Sequence, residues 1–448
     1  MSSMTTTAPA PTAARDWWRR PPPASPEVSE RGVVRAESAS SRWAFRALLA
    51  FVVVNVLAPQ SFLPALEPLR LAFLSAVAAA ATHLADRWSR TDGPGAAPRE
   101  AVLIWCLVGW ALLTVPFSLW PGFSFSTLLD QYLKTVMVFW LVGNVVTGTA
   151  RLRALFWTLA ACTVPLALTG IHNFASGVTE GNDRIQGYTN GMASNPNDLA
   201  LTLNIMIPLT MSLVLTARDR LSRIAGLGII VVSVLGIIVT FSRGGFITLA
   251  TIALLSLIAL WRRGHTGVVG GMILAVLLAI PALPQGYLDR LATISNASSD
   301  QTGSSEERLE LMSVALECVR SHPLLGSGLG MDVEAISRQG PVKGLHVHNA
   351  YLVCAVDLGI PGLLLFAGAI VAAIRTARRV EGPRARDDDE LPTLAGGVRI
   401  SLMAFAVAAF FHPVPYNAYL YYLAGLAAAA WQCRAASVRP LAAAPSSL

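Results

Sequence analysis

Long, nearly uncharged apolar stretches recur along this chain, and they restrict it to very few folds. They lie near 44–59, 63–85, 101–120, 128–146, 155–174, 199–216, 224–241, 245–261, 268–283, 350–374, 398–411 and 419–433. A helix needs about 20 mostly apolar residues to cross the hydrocarbon of a bilayer. Backbone N–H and C=O groups find no water there, so a spanning segment must pair them within itself, as an α-helix does. The chain of 448 residues is 54% hydrophobic and 14% charged, where a soluble domain carries roughly 25% charged residues. We therefore expect an all-α polytopic membrane protein with about 12 transmembrane helices. The formal net charge of +7 then reflects arginines flanking the spans, not a nucleic-acid partner.

Those arginines also set an orientation. Alternate loops carry Arg87, Arg90 and Arg99; Arg151 and Arg153; Arg218, Arg220 and Arg223; Arg262 and Arg263; Arg375, Arg378, Arg379, Arg384 and Arg386; and Arg434 and Arg439. The loops at 59–63, 121–126 and 413–417 carry no Lys or Arg. Positive loops stay cytoplasmic, which predicts two cytoplasmic termini in a bacterial inner membrane and an opposite, periplasmic face. The expected domains are a disordered tail over 1–43, a transmembrane domain over 44–434, and a cytoplasmic tail over 435–448. We expect the first apolar run, near Ala44, to be a retained span and not a cleavable leader. A large loop over 285–347, between spans nine and ten, falls on the periplasmic face. It is partly helical, since 306–320 sets Leu309, Met312, Ala315 and Leu316 at helical spacing. The five cysteines Cys106, Cys162, Cys318, Cys354 and Cys433 form neither a disulfide framework nor a zinc pattern.

Four polar constellations fall on that face. Asn195-Pro-Asn197-Asp198 opens the sixth span, where a side-chain oxygen caps the helix. The same free amides make an anion site, which Arg184 upstream can assist. Ser242-Arg243-Gly244 joins the seventh and eighth spans. Its glycines suit a tight turn; its arginine is a cation on the depleted side, and a guanidinium fork matches phosphate. Arg308 stands in an acidic run, Glu306-Glu307-Arg308-Leu309-Glu310, which on its own residues reads as the solvated first turn of a helix. The glycine-rich His322–Gly330 run lacks the Gly-Lys-Ser/Thr ending of a phosphate-binding loop, and we expect its glycines to let it lie close to the membrane surface. Finally His346-Val-His348-Asn349 stands at the mouth of the tenth span, with Asp357 further inside. No third ligand accompanies the two histidines, so no metal is expected. A histidine near neutral pKa suits proton transfer from a hydroxyl; the buried Asp357 needs a partner, for which a structural hydrogen bond suffices.

The run His348-Asn349, an apolar stretch, Asp357, then Gly359-Ile-Pro-Gly362 resembles the core motif of the O-antigen ligase and polymerase superfamily. Ser242-Arg243-Gly244, Arg308 with the loop helix and His322-Pro323, and Asn195-Pro-Asn-Asp198 are similar to further family elements, covering a core of about 187–374. Asp357 stands where Glu is commoner, and Met312 where Trp often follows the loop arginine. The resemblance implies a fold like that of the glycosyltransferase-C class and a metal-independent, inverting glycan transfer without a cofactor. The implied donor is a glycan on a polyprenyl diphosphate; the acceptor is a sugar hydroxyl on lipid A-core, on a polymer or on a protein. Carried over, Arg243 and Arg308 bind the diphosphate and His348 holds or deprotonates the acceptor. His346 and Asn349 support them, and Arg184, Asn195, Asn197 and Asp357 complete the substrate-binding set. A transporter or flippase of lipid-linked glycan or a small anion is the alternative, though no internal repeat of the kind transporters use is visible. Ligase and polymerase are not separable from these residues.

Overall fold

A computed structural model describes residues 39–88, 97–180, 184–188, 191–279, 304–340, 344–382 and 389–438. Most of the expected 1–43 tail, residues 439–448, the 285–303 part of the loop, Arg90, Lys343, Arg384, Arg386 and Arg439 lie outside the described residues.

The elements are helical apart from one two-residue antiparallel pair, Thr179–Glu180 with Arg184–Ile185. In chain order they are α1 (Ala39–Leu57), α2 (Leu71–Trp88), α3 (Arg99–Thr114), α4 (Pro121–Thr127), α5 (Leu133–Val145) and α6 (Thr149–Ala175). Next come α7 (Pro196–Leu215), α8 (Arg220–Val239), α9 (Arg243–Arg262) and α10 (Thr266–Ala279). The loop helices are α11 (Ser304–Ser321) and α12 (Asp332–Gln339), and α13 (Ala350–Glu381), α14 (Glu390–Ala408) and α15 (Ala418–Val438) complete the set.

Among the described residues, nine helices are long and apolar enough to cross a membrane. Among the described residues each expected apolar segment lies mainly on a helix, but three fall short of that standard. The 128–146 segment is divided between a π-helical turn at Leu128–Tyr132 and α5. In α10 the apolar stretch is short, Thr266–Leu278. Helix α15 mixes Tyr419, Tyr421, Tyr422, Gln432 and Arg434 into its length. All three tyrosines are buried, because α15 packs against α5, α13 and α14. A helix surrounded by protein has no need to be apolar all round. By contrast α8 leaves Leu221, Ile224, Leu227, Val231 and Leu235 exposed, three or four residues apart. An apolar stripe of that extent suits lipid and would be costly in water.

One helix is broken in its interior. In α13, Gly359 adopts φ 67° and ψ −174°, and the break frees carbonyls that a continuous helix would use. The glycine-rich loop takes them up: Ser327 N–H donates to Val356 O at 2.7 Å, and Gly328 N–H to Asp357 O at 2.8 Å. In return Ile360 N–H donates to Pro323 O at 2.8 Å, and the Trp110 indole N–H to Leu358 O at 2.8 Å. Irregular backbone at such depth is tolerated where protein satisfies it. A Cβ on Gly326 would strike the Asp357 carbonyl, and one on Gly359 the Leu324 carbonyl. These glycines therefore lie against the broken helix, a close backbone contact that the sequence did not show. The expected face of α11 is corrected. Leu311, Ala315 and Cys318 are its buried side, while Leu309, Met312 and Leu316 are exposed.

Candidate functional site

The start of α7 is fixed locally. Asn195 Oδ1 accepts from the N–H groups of Asn197 at 3.0 Å and Asp198 at 2.9 Å, and Asn195 Nδ2 donates to Asp198 Oδ2 at 2.6 Å. This satisfies two of the amides a helix start leaves open. Two other elements then lock onto it. Ser242 Oγ, which caps α9 by accepting from Gly245 N–H, donates to Asn197 Oδ1 at 2.8 Å. From the segment after α14, His412 places Nε2 3.1 Å from Asn197 O and Nδ1 2.8 Å from Ala408 O. Both neighbours are carbonyl oxygens, which accept from the ring. A Cβ on Gly244 would press on Phe411, which brings the Arg243 turn against the same segment.

The opposite wall is the linker before α13. Asp332, at the first residue of α12, is buried at 2% exposure and lies 2.8 Å from Nδ1 of His346, whose side chain is 58% exposed. A buried carboxylate thus backs an imidazole whose other edge is open. The Asp332 hydrogen bond pulls the His346 pKa up, against the opposing effect of its own burial. His348 is set differently. Its Nδ1 meets His346 O at 3.1 Å. Burial first, and then the Arg308 cation and His412, push its pKa down to about 4. Two histidines two residues apart therefore have opposite electrostatics.

Asp332, His346, His348, Asn195, Asn197, Asp198, Asp357, His412, Tyr416 and Gln131 line one cleft of about 770 Å³. Asp357 is fully buried and accepts from Gly330 N–H at 2.9 Å, which ties the glycine-rich loop to the cleft floor. Beside it the Tyr416 phenol is held well above its usual ionisation range, by burial and then by Asp357. Among the described residues, Asp357 Oδ1 and Tyr416 Oη are buried without a hydrogen bond of ordinary geometry. No group of three or more His, Cys, Asp or Glu side chains among the described residues is placed to hold a metal ion.

Of the residues singled out from sequence, Asn195, Asn197, His346, His348 and Asp357 are brought together on this lining. Asn349 is not on it. Its side chain is buried and caps α13, accepting from Tyr351 N–H at 3.0 Å and Leu352 N–H at 3.1 Å. Arg243 and Arg308 are partly buried at the margin, the first through its turn, the second through its field on His348. The Arg184 backbone sits in the short β pair, and its side chain lies outside the described residues. Sequence reasoning passed over Asp332, His412 and Tyr416 as site residues. The one signal for the latter two was the proline-punctuated run His412-Pro-Val-Pro-Tyr416 between two spans. A larger groove of about 1060 Å³ opens at the other end of the bundle, beside α2 and α3. There the buried Arg151 spends its guanidinium on Val145 O at 3.0 Å and Ser41 Oγ at 2.8 Å.

No curated relative matches the chain. Residues 228–367 match the family model described as O-antigen ligase. The match encloses Arg243, Arg308, Asp332, both linker histidines and Asp357, and leaves the start of α7 and His412 outside. That match makes this part of the chain similar to the O-antigen ligase superfamily, on a chain built of membrane-length apolar helices, and it supports a glycan-transfer role in surface polysaccharide synthesis.

Proposed function

We propose that the cleft transfers a glycan from a polyprenyl-diphosphate lipid to a sugar hydroxyl, on the periplasmic face of the inner membrane. One observation carries this reading: a polar cleft with histidines, carboxylates and a capped helix start lies at one end of a bundle whose flanks are apolar. A polyprenyl chain can stay in lipid beside such a bundle while its diphosphate and sugar enter the cleft.

Each part then has a task. Arg243 and Arg308 supply the cations that hold the diphosphate and steady its charge as the sugar leaves. The helix start at Asn195–Asp198 adds a positive dipole end near the same anion. The histidine pair handles the acceptor hydroxyl, and the oxygen attacks the face of the anomeric carbon opposite the diphosphate, which inverts it. These steps draw on proton transfer and electrostatics and need no metal. A transporter would need polar groups along a path through the bundle; here the charged groups at the far end are engaged with one another.

The test is the surface glycan of cells that carry R243A or H348A in place of the wild-type chain. We expect loss of the attached polysaccharide, with each variant still in the membrane at wild-type level. Normal glycan ladders from both variants would overturn the reading. A deletion strain divides the class further: loss of all attached glycan marks a ligase, and retention of one repeat unit marks a polymerase.

A further inference from the structure

The two linker histidines invite one question, namely which of them carries the proton. Resting on the glycan-transfer reading above, we infer that His346, backed by Asp332, takes the proton of the acceptor hydroxyl, and that His348 binds the acceptor as a neutral ring.

The geometry separates them. His346 gives Nδ1 to a carboxylate buried at 2% exposure, 2.8 Å away. That bond fixes the Nδ1–H tautomer and leaves the Nε2 lone pair on the open side of the ring, toward the cleft. When Nε2 gains a proton, the imidazolium faces Asp332 directly and is stabilised by it. His348 has only a backbone carbonyl on Nδ1, at 3.1 Å. An imidazolium there would sit in the field of Arg308 and His412, which disfavour it. Ionisation follows the same division: His346 is raised above its ordinary value by Asp332, and His348 is pushed down to about 4. A general base must stabilise the proton it takes; His346 has the Asp332 carboxylate against its ring for that, and His348 has only a backbone carbonyl.

The step balances. The acceptor O–H proton passes to His346 Nε2 as the oxygen forms its bond to the anomeric carbon. The bond from that carbon to the diphosphate oxygen breaks, and its electron pair leaves on the diphosphate. His346 then returns the proton to solvent. The ionisable groups around this site are Asp332 on α12, Asp357 on α13, Asp198 on α7, His348 on the linker, and His412 and Tyr416 after α14. Arg308 on α11 and Arg243 on α9 complete them. Of these, the hydrogen bond that His346 donates to Asp332 is the first cause of the His346 shift.

The experiment measures the rate against pH for the full chain in lipid nanodiscs. The probe is a synthetic polyprenyl-diphosphate oligosaccharide carrying the host's own repeat unit, with the host's acceptor glycan. The base must be neutral to act, so the wild-type rate rises as pH climbs through the His346 pKa. D332N removes the carboxylate and lowers that pKa, so we expect the acidic limb to move to lower pH with a reduced plateau. D332E keeps a carboxylate and should restore the limb, which separates the effect from misfolding. H346Q should lose about 100-fold or more in rate, in keeping with the loss of a general base, and lose the limb with it. H348Q should raise KM while keeping the limb. An unmoved limb in D332N, or a limb lost in H348Q and kept in H346Q, overturns the inference while leaving the transfer reading intact. No transfer by the wild-type chain overturns both.

Discussion

The two ends of the helix bundle use ionisable residues in opposite ways. At the end away from the cleft, Glu381 accepts from Arg263 at 3.0 Å and from Arg399 at 2.6 Å. These side chains are only 13–21% exposed, and the gap among them is about 40 Å³. Nearby Arg153 is bound by Glu390, and the buried Glu100 accepts from Thr376 Oγ1 at 2.7 Å. At the cleft end Asp332 faces a histidine that is itself 58% exposed, on a volume of about 770 Å³. In the Glu381 cluster the charges are matched to each other; at the cleft end they are presented to an open space. The first arrangement fixes helices, and the second, on the function proposed above, takes the ligand.

The hardest test of that division is E381A. It strands Arg263 and Arg399 in a nearly closed site, where breaking a buried pair costs about 3 kcal/mol or more. We expect a clear fall in the thermal unfolding midpoint of the purified protein in detergent, with glycan transfer per folded molecule within about twofold of wild type. A large loss of transfer by fully folded E381A protein would break the comparison.

The cleft end also holds a matched group, and H412A sharpens the boundary between the two roles. Removing the ring takes one partner from the carbonyls of Asn197 and Ala408, the second of which still accepts from Phe411 N–H at 2.8 Å, at a cost of about 1 kcal/mol. Unlike the Glu381 cluster, this contact joins the helix start at Asn195–Asp198 to the end of α14, on the cleft itself. Stability and transfer should therefore fall together, the rate by roughly tenfold, which is 1.4 kcal/mol in a barrier. An H412A protein with lowered stability but wild-type transfer would show that this contact belongs with the structural end.

Much of this was legible in the sequence, for reasons of range. The apolar segments could be read because a lipid-crossing helix satisfies its own backbone locally. The His346–Asn349 mouth and the Arg243 turn could be read because each is a short run at a helix end. Helix α14 shows where that reading stops. The apolar pattern starts a span at 398, with Arg399 already inside it, yet the helix begins earlier, at Glu390. The arginine is tolerated because Glu381, on another helix, neutralises it. The break at Gly359 was hidden because a glycine in an apolar run does not disturb its hydropathy; its reason is a loop some thirty residues upstream in the chain. His412 was missed because its partner Asn197 lies 215 residues away. Pairings of that separation leave no periodic trace.

Asn349 supplies the smallest expected effect, and it tests how far the ligand-binding end extends. Sequence placed it with the substrate; the structure makes it the cap of α13, buried at 6% exposure and bonded to two backbone amides. Serine has a short side-chain oxygen that caps nearly as well, whereas alanine has none and costs about 1 kcal/mol. If Asn349 acts only through the cap, N349S should keep wild-type transfer, and N349A should lose a few degrees in unfolding midpoint with a less than threefold loss in rate. If its amide instead touches the glycan, both variants lose transfer alike, and N349S does so without losing stability. A stable, inactive N349S protein would add the Asn349 amide to the lining of the cleft, between His348 and Asp357.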